Sequence, residues 1–326
     1  MDKQPESLVF NSGSIDDLLE NYSMNLKALN RSEKTLDWYR DNLRRYFGFL
    51  SQSNMLKPVE QLGSQELKVY LLHLKERERW PENKYIKNKG KLSPFSIQGH
   101  ARTIKAFWGW MWKEGIIKEN PLAKFPLPKV PQNLIQTIAV SDMKKLLNAI
   151  DRSTPAGERL YCILLTLIDT GARIGEVVGI KISEVGFQQG TMTVTGKGQK
   201  QRLVPFSSNT RKSLMKFRDG SRAELISVES DYLFPQKYGE HVSIGSVQQA
   251  IRRLARKVGL VRCYPHLFRH TFASIFIAKG GAAPILKGIM GHESFQTTEK
   301  YIHPKAEDLK LQHQMYSPVK DIFKQD

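Results

Sequence analysis

Gly171-Ala172-Arg173-Ile174-Gly175-Glu176 decides how the second half of this 326-residue chain is read. An apolar run beginning Leu160-Tyr161-Cys162-Ile163-Leu164-Leu165 precedes it and predicts a helix over about Glu158–Thr170. Gly171 is placed to end that helix, because glycine accepts the left-handed conformation common just past a helix terminus. Glu176 falls one helical turn after Arg173, the spacing at which a carboxylate pairs with and orients a guanidinium.

Downstream, Thr191-Met192-Thr193-Val194 and Arg202-Leu203-Val204-Pro205 read as two short strands around Thr195-Gly196-Lys197-Gly198-Gln199-Lys200, with Lys197 at the tip or edge of the turn. Helices are predicted near Val247–Val258, Thr271–Lys279 and Pro284–Met290, and Ser141 is a candidate cap for a short helix through Ile150. Polar signatures punctuate this region: His266-Leu267-Phe268-Arg269-His270, Gly291-His292-Glu293, and Tyr301 nine positions after His292.

Upstream, residues 14–118 read as helical. Leu36, Tyr39, Leu43, Tyr46, Phe47 and Leu50 recur at spacings of three and four; Ser64 is a candidate cap before Leu67, Tyr70, Leu71 and Leu74. Ile97, Ile104, Phe107, Trp108, Met111 and Trp112 form a third stripe. A basic loop between the second and third helices carries Lys84, Lys87, Lys89 and Lys91. Prolines at 121, 126, 128 and 131 disfavour helix and mark a linker. The domain reading is therefore an acidic, flexible tip over 1–13, a helical domain over 14–119, a proline-rich linker over 120–135, and a second domain over 136–326.

The formal charge is +18. Residues 1–20 carry one basic and five acidic side chains, residues 21–130 carry 21 and 10, and residues 131–326 carry 28 and 17. Both body segments thus suit a polyanionic partner, most often nucleic acid. Lys34, Arg44, Arg102 and Lys105 of the helical segment, with Lys84 and Lys87 of the loop, are the candidate phosphate contacts. Two cysteines without a Cys-x-x-Cys pattern exclude a zinc knuckle or a disulfide framework. Neither a signal-peptide stretch nor a bilayer-length apolar run is seen, so no membrane role and a cytoplasmic location are expected.

Arg173, Lys197, His266, Arg269, His292 and Tyr301 together suit phosphodiester chemistry. Arginine forks hold phosphate oxygens and keep their charge. Histidine and lysine move protons, and a tyrosine hydroxyl can become a covalent nucleophile. No carboxylate cluster accompanies the histidines, which disfavours a metal-dependent nuclease and implies no cofactor.

In that order and spacing, these motifs resemble the tyrosine recombinase (phage-integrase) family, with a layout similar to its Xer-type members. Arg173 matches the family's first-arginine motif, Lys197 its hairpin lysine, His266 and Arg269 its His-x-x-Arg box, Met290-Gly291-His292 its Gly-His signature, and Thr298-Glu299-Lys300-Tyr301 its nucleophile segment. The resemblance implies a mainly α fold with a small β-sheet (α+β): a helical, SAM-like core-binding domain and a catalytic domain forming a clamp around double-stranded DNA.

It implies a site-specific recombinase that cuts and rejoins strands through a 3′-phosphotyrosyl intermediate and a Holliday junction, without metal or ATP. In that scheme Tyr301 attacks, Arg173, Arg269 and His292 hold the phosphate, Lys197 protonates the leaving 5′-oxygen, and His266 helps remove the tyrosine proton. Glu176 and His270 are support residues. A homotetramer on synapsed DNA and a nucleoid-associated location are implied as well. The apolar residues past Tyr301, among them Leu309, Leu311, Met315, Ile322 and Phe323, are expected to dock on a neighbouring subunit, with folding onto their own domain left open. The residues leave open a strand-relaxing enzyme with the same chemistry and a DNA binder with a vestigial site. They also leave open the need for an accessory protein or partner recombinase, and the choice between chromosome-dimer resolution, integration and transposon resolution.

Overall fold

A computed structural model of the chain describes residues 14–78, 90–131, 136–196 and 199–291, with Thr298 and Tyr301. The chain divides into two compact units, residues 1–133 and 134–326. The described residues are mainly helical, with a single three-stranded sheet. No described helix is long and apolar enough to cross a membrane.

The first unit holds α1 (Ile15–Ala28), α2 (Glu33–Gln52), α3 (Ser64–Glu76) and α4 (Pro94–Lys113). The expected stripe of α2 packs inward: Leu36, Leu43, Tyr46, Phe47 and Leu50 are buried. Ile97, Ile104, Phe107, Trp108 and Met111 of α4 meet it, with the Phe47 and Trp108 rings stacked 6.0 Å apart. Trp112 does not join them. One position past Met111 turns a side chain about 100° around the helix, and Trp112 is 50% exposed.

The cap of α3 also differs from expectation. Ser64 is the first helical residue and Gly63 the cap, because the Glu66 carboxylate folds back to accept the Gly63 N–H at 2.9 Å. Helix α4 is capped by Ser93, whose hydroxyl accepts the Ser96 N–H at 3.1 Å. The proline-bearing stretch starts within this unit's packing. Leu122 is buried in the helical core, Gln98 Nε2 donates to the Pro128 carbonyl at 2.8 Å, and Lys105 Nζ donates to the carbonyls of Ala123, at 3.2 Å, and Phe125.

The second unit holds α5 (Val140–Asn148), α6 (Pro155–Thr170) and α7 (Ile174–Val178). Strands β1 (Val185–Gly186), β2 (Thr191–Thr195) and β3 (Gln201–Pro205) follow, then α8 (Ser208–Asp219), α9 (Ile244–Lys257), α10 (Pro265–Ala278) and α11 (Ala283–Met290). The sheet is antiparallel in the order β1-β2-β3, with Met192 opposite Val204 and Val194 opposite Arg202. Ala139, not Ser141, caps α5. Helix α10 starts six residues before the expected Thr271. Pro265, with its φ preset, sits in the first turn and draws His266 and Arg269 into the helix.

Candidate active site

The site begins where α6 stops. Gly171 adopts φ 62°, and a Cβ there would lie 2.5 Å from the Phe272 ring of α10, so glycine is needed for both conformation and approach. The turn it makes delivers Arg173 to the cap of α7 and Glu176 one turn later. Glu176 accepts the Arg173 N–H and Nη1, each at 2.8 Å.

Glu176 also accepts a bidentate pair, both bonds 2.8 Å, from Arg202 of β3. Arg202 in turn donates Nε to the Ile289 carbonyl of α11 at 2.7 Å. One carboxylate thereby ties α7, β3 and α11 together. The fit at α11 is close: Gly291, at φ 61°, would place a Cβ 2.9 Å from Arg202 Cδ. Glycine at the start of the Gly-His signature is thus required by the stem of Arg202.

Sequence reasoning places Arg202 on the hairpin and assigns it no part in the site. A signal was present. Arg202 lies two residues from the buried Val204, on the same strand face, and an arginine on an inward face requires a partner.

Arg269 is buried, 5% exposed, on the first turns of α10. Its Nη1 donates to the Gly171 carbonyl at 2.7 Å and its Nη2 to the Met290 carbonyl. These bonds use two of the five guanidinium N–H groups and aim the fork from a fixed base. Burial pulls its pKa down to about 10, with Arg173 adding to the effect, Glu176 opposing, Arg202 adding, and Tyr301 opposing. It stays charged at neutral pH.

Glu176 shows the reverse balance. Burial pushes its carboxyl up, but the bonds from Arg202 and Arg173 overcome this and hold it below the usual glutamate range. His266 is exposed on one side. The protein packed on its other side, then the charges of Arg269 and Arg173, lower its pKa and favour the neutral ring.

Tyr301 is 9% exposed and packs with Ala273, Leu286 and Met290. Its amide donates to the Thr298 carbonyl at 3.0 Å. Burial raises the phenol pKa, and the Arg269 charge offsets part of the rise. The hydroxyl lies 2.6 Å from His270 Nδ1. The histidine beside the tyrosine oxygen is thus His270, where the resemblance implied His266.

Lys197 and His292 lie outside the described residues, as do Lys84 and Lys87. The hairpin that would carry Lys197 is closed below its tip by the Gly196 N–H to the Lys200 carbonyl at 2.8 Å. Lys34 and Arg102 are exposed on α2 and α4. Arg44, also exposed, lines a groove between α1 and α2 with Asp16 and Glu20. Lys105 is half-buried, and its ammonium holds the backbone near Phe125. Among the described residues no group of three or more His, Cys, Asp or Glu is placed to hold a metal ion.

The model of the phage integrase family matches residues 136–308, more than half of the chain. The chain belongs to the phage integrase family. This integrase-family protein is 27% identical over 285 residues to the tyrosine recombinase XerC of Oceanobacillus iheyensis, covering 86% of this chain and 89% of that protein. It is 24% identical over 290 residues to the tyrosine recombinase XerD of Listeria innocua, covering 88% and 93%. Its fold is similar to that of the XerH site-specific recombinase bound to difH substrate, with a TM-score of 0.67 at 20% identity over 92% of this chain and 84% of that one. It is similar too to the Tn1549 transposon integrase in complex with a circular intermediate DNA, with a TM-score of 0.70 at 18% identity over 92% and 99%. The protein is a tyrosine recombinase of the Xer type.

Proposed function

We propose that this recombinase cuts and rejoins DNA at a specific site, with Tyr301 as nucleophile and Arg173 and Arg269 as the phosphate clamp. The observation that carries the reading is the convergence around Tyr301. A buried tyrosine stands with its hydroxyl against a histidine and in the field of a buried arginine, Arg269, which itself feels the charges of Arg173 and Glu176.

Tyr301 Oη attacks the scissile phosphorus and forms a 3′-phosphotyrosyl bond, and the 5′-oxygen leaves. Arg269, anchored by two carbonyls, and Arg173, anchored by Glu176, meet the non-bridging oxygens where charge concentrates. His292 and the neutral ring of His266 add hydrogen bonds to the same phosphate. Lys197 protonates the leaving oxygen. Attack by the 5′-hydroxyl of another strand reverses the step, so the bond energy is conserved without ATP or metal.

The helical unit meets the phosphate backbone through Lys34, Arg44 and Arg102, with Lys84 and Lys87. Four protomers on two synapsed duplexes carry the exchange through a Holliday junction, in the cytoplasm at the nucleoid, with residues past Tyr301 docked on a neighbouring protomer. The charge of +18 supports the DNA partner.

A nicked suicide duplex, run in EDTA, tests this reading. Wild-type protein is expected to form a covalent adduct that survives denaturation. Tyr301→Phe is expected to bind the duplex and form none. Adduct formation by the phenylalanine variant would overturn the assignment.

A further inference from the structure

The tyrosine hydroxyl needs an acceptor for its proton, and His270 stands within hydrogen-bond reach of it. The Nδ1···Oη separation is 2.6 Å, with ring centroids 5.9 Å apart and planes at 42°. His270 follows Arg269 directly on α10, so the helix that fixes the phosphate-binding arginine also fixes this imidazole. Tyr301 is seated among Ala273 of the same helix and Leu286 and Met290 of α11, which hold its ring against α10.

The surroundings make an acceptor necessary. Burial disfavours the phenolate, and Arg269 only partly compensates, so the hydroxyl carries its proton at neutral pH. A nucleophile in that state is activated by a base within hydrogen-bond reach. His266, to which the family resemblance gave this role, is the exposed residue of the first turn of α10, in the field of Arg269 and Arg173. That place suits the phosphate.

We propose that His270 Nδ1 takes the Tyr301 proton during cleavage and returns it during ligation. This rests on Tyr301 being the nucleophile, as proposed above. In cleavage the Oη–H bond breaks and the proton passes to Nδ1, giving an imidazolium. The Oη–P bond forms, the P–O5′ bond breaks, and the leaving oxygen takes a proton from Lys197. Ligation runs each transfer backwards, so His270 ends neutral and Lys197 charged. His270 requires its proton on Nε2 at the outset, the tautomer that leaves Nδ1 free of a proton to accept the phenol's.

The test separates basicity from packing. Asparagine at 270 places a polar atom near Nδ1 but cannot take up the proton. His270→Asn is expected to bind the suicide duplex as wild type does and to form adduct about 10²–10⁴-fold more slowly, the usual worth of a positioned base. Replacing Tyr301 with 2,3,5-trifluorotyrosine, whose phenol is far more acidic, is expected to recover at least tenfold of that rate. The same replacement is expected to give no recovery in Arg269→Lys.

His270→Gln serves as a second variant should asparagine disturb the fold, checked by circular dichroism and DNA binding. A folded, DNA-binding His270 variant that cleaves within threefold of wild type overturns the proposal. So does a slow variant that trifluorotyrosine fails to rescue, which would make His270 a packing residue only. Absence of adduct in wild type would instead remove the nucleophile assignment beneath it.

Discussion

In the helical unit the polar groups inside the packing are neutral: Asn42 pairs with Thr103 at 3.4 Å and Tyr70 with His100 at 3.1 Å, while the Tyr46 hydroxyl and the Trp108 and Trp110 indole N–H groups are buried without a hydrogen-bond partner. Its one buried carboxylate among the described residues, Glu66, sits at the rim, caps α3 and meets the exposed Lys57. In the C-terminal unit the same degree of burial encloses Glu176, Arg269 and the polar end of Tyr301, with Arg202 nearly covered. Taking charges out of water costs several kcal/mol per ion before pairing returns it, and apolar residues of equal volume often do as well. Stability alone therefore accounts for the first interior. The second interior makes sense as a place where a phosphate's charge is to be met by donors that need no reorganisation.

The largest effect is expected from Arg269→Lys. The charge is kept, but the fork can no longer hold two carbonyls and a phosphate together. Adduct formation should fall by about 10²–10³-fold while duplex binding persists. A loss below tenfold would break the contrast, because the buried cation would then be mere structure.

Glu176→Gln comes next. It leaves Arg202 facing a neutral partner in a covered site, which should cost about 3 kcal/mol. All five tryptophans, at 38, 80, 108, 110 and 112, lie in the first unit. Tryptophan fluorescence should thus report an unchanged urea transition for that unit, while hydrogen exchange in α6 and α10 quickens. A shift of the fluorescence transition with no change in exchange would contradict the division.

A pH titration of the first unit probes its neutral interior. Burial, with Arg45 and Arg77 adding, lowers the His100 pKa from 6.5 to about 4. The unfolded chain then binds the proton more readily, so this stability is complete above 6.5 and drains away as the pH falls towards 4. The fluorescence-detected transition should weaken by about 3 kcal/mol over that window, and His100→Gln should flatten the slope. An unchanged slope in the variant would place the acid sensitivity elsewhere.

The smallest effects belong to the surface. Lys34→Ala and Arg102→Ala should each alter stability by less than about 0.5 kcal/mol and reduce the salt slope of duplex binding by about one. Lys105→Ala should do the opposite. It frees the Ala123 and Phe125 carbonyls and costs about 1 kcal/mol, with the salt slope unmoved. Equal slopes for all three variants would mean that Lys105 also reaches DNA.

Much of the molecule was legible from residue spacing. The α2 and α3 stripes, the helix ending at Gly171 and the hairpin strands follow from periodicity and glycine chemistry, which act locally. Trp112 misled because a stripe blurs at its last turn, and Ser64 because Glu66, three residues on, provides a better partner for Gly63. The candidate site residues were readable as residue types in order. Their wiring was not: the Glu176–Arg202 pair joins positions 26 apart, the Arg269–Gly171 bond positions 98 apart, and the Tyr301–His270 contact positions 31 apart. Spacing along a helix or strand carries no information on such partners until the fold brings them together. His270 in particular was read as a support residue, because the helix that carries it beside Tyr301 starts six residues earlier than the sequence suggested.

Where DNA becomes attached bears most directly on the role of the charged interior. Wild-type protein trapped on a nicked suicide duplex, digested and sequenced by mass spectrometry, should yield a single DNA-bearing peptide with the modification on Tyr301. DNA carried by any other residue, or firm duplex binding with no attached peptide at all, would contradict the claim that the charged interior of the second unit exists to cut and rejoin DNA.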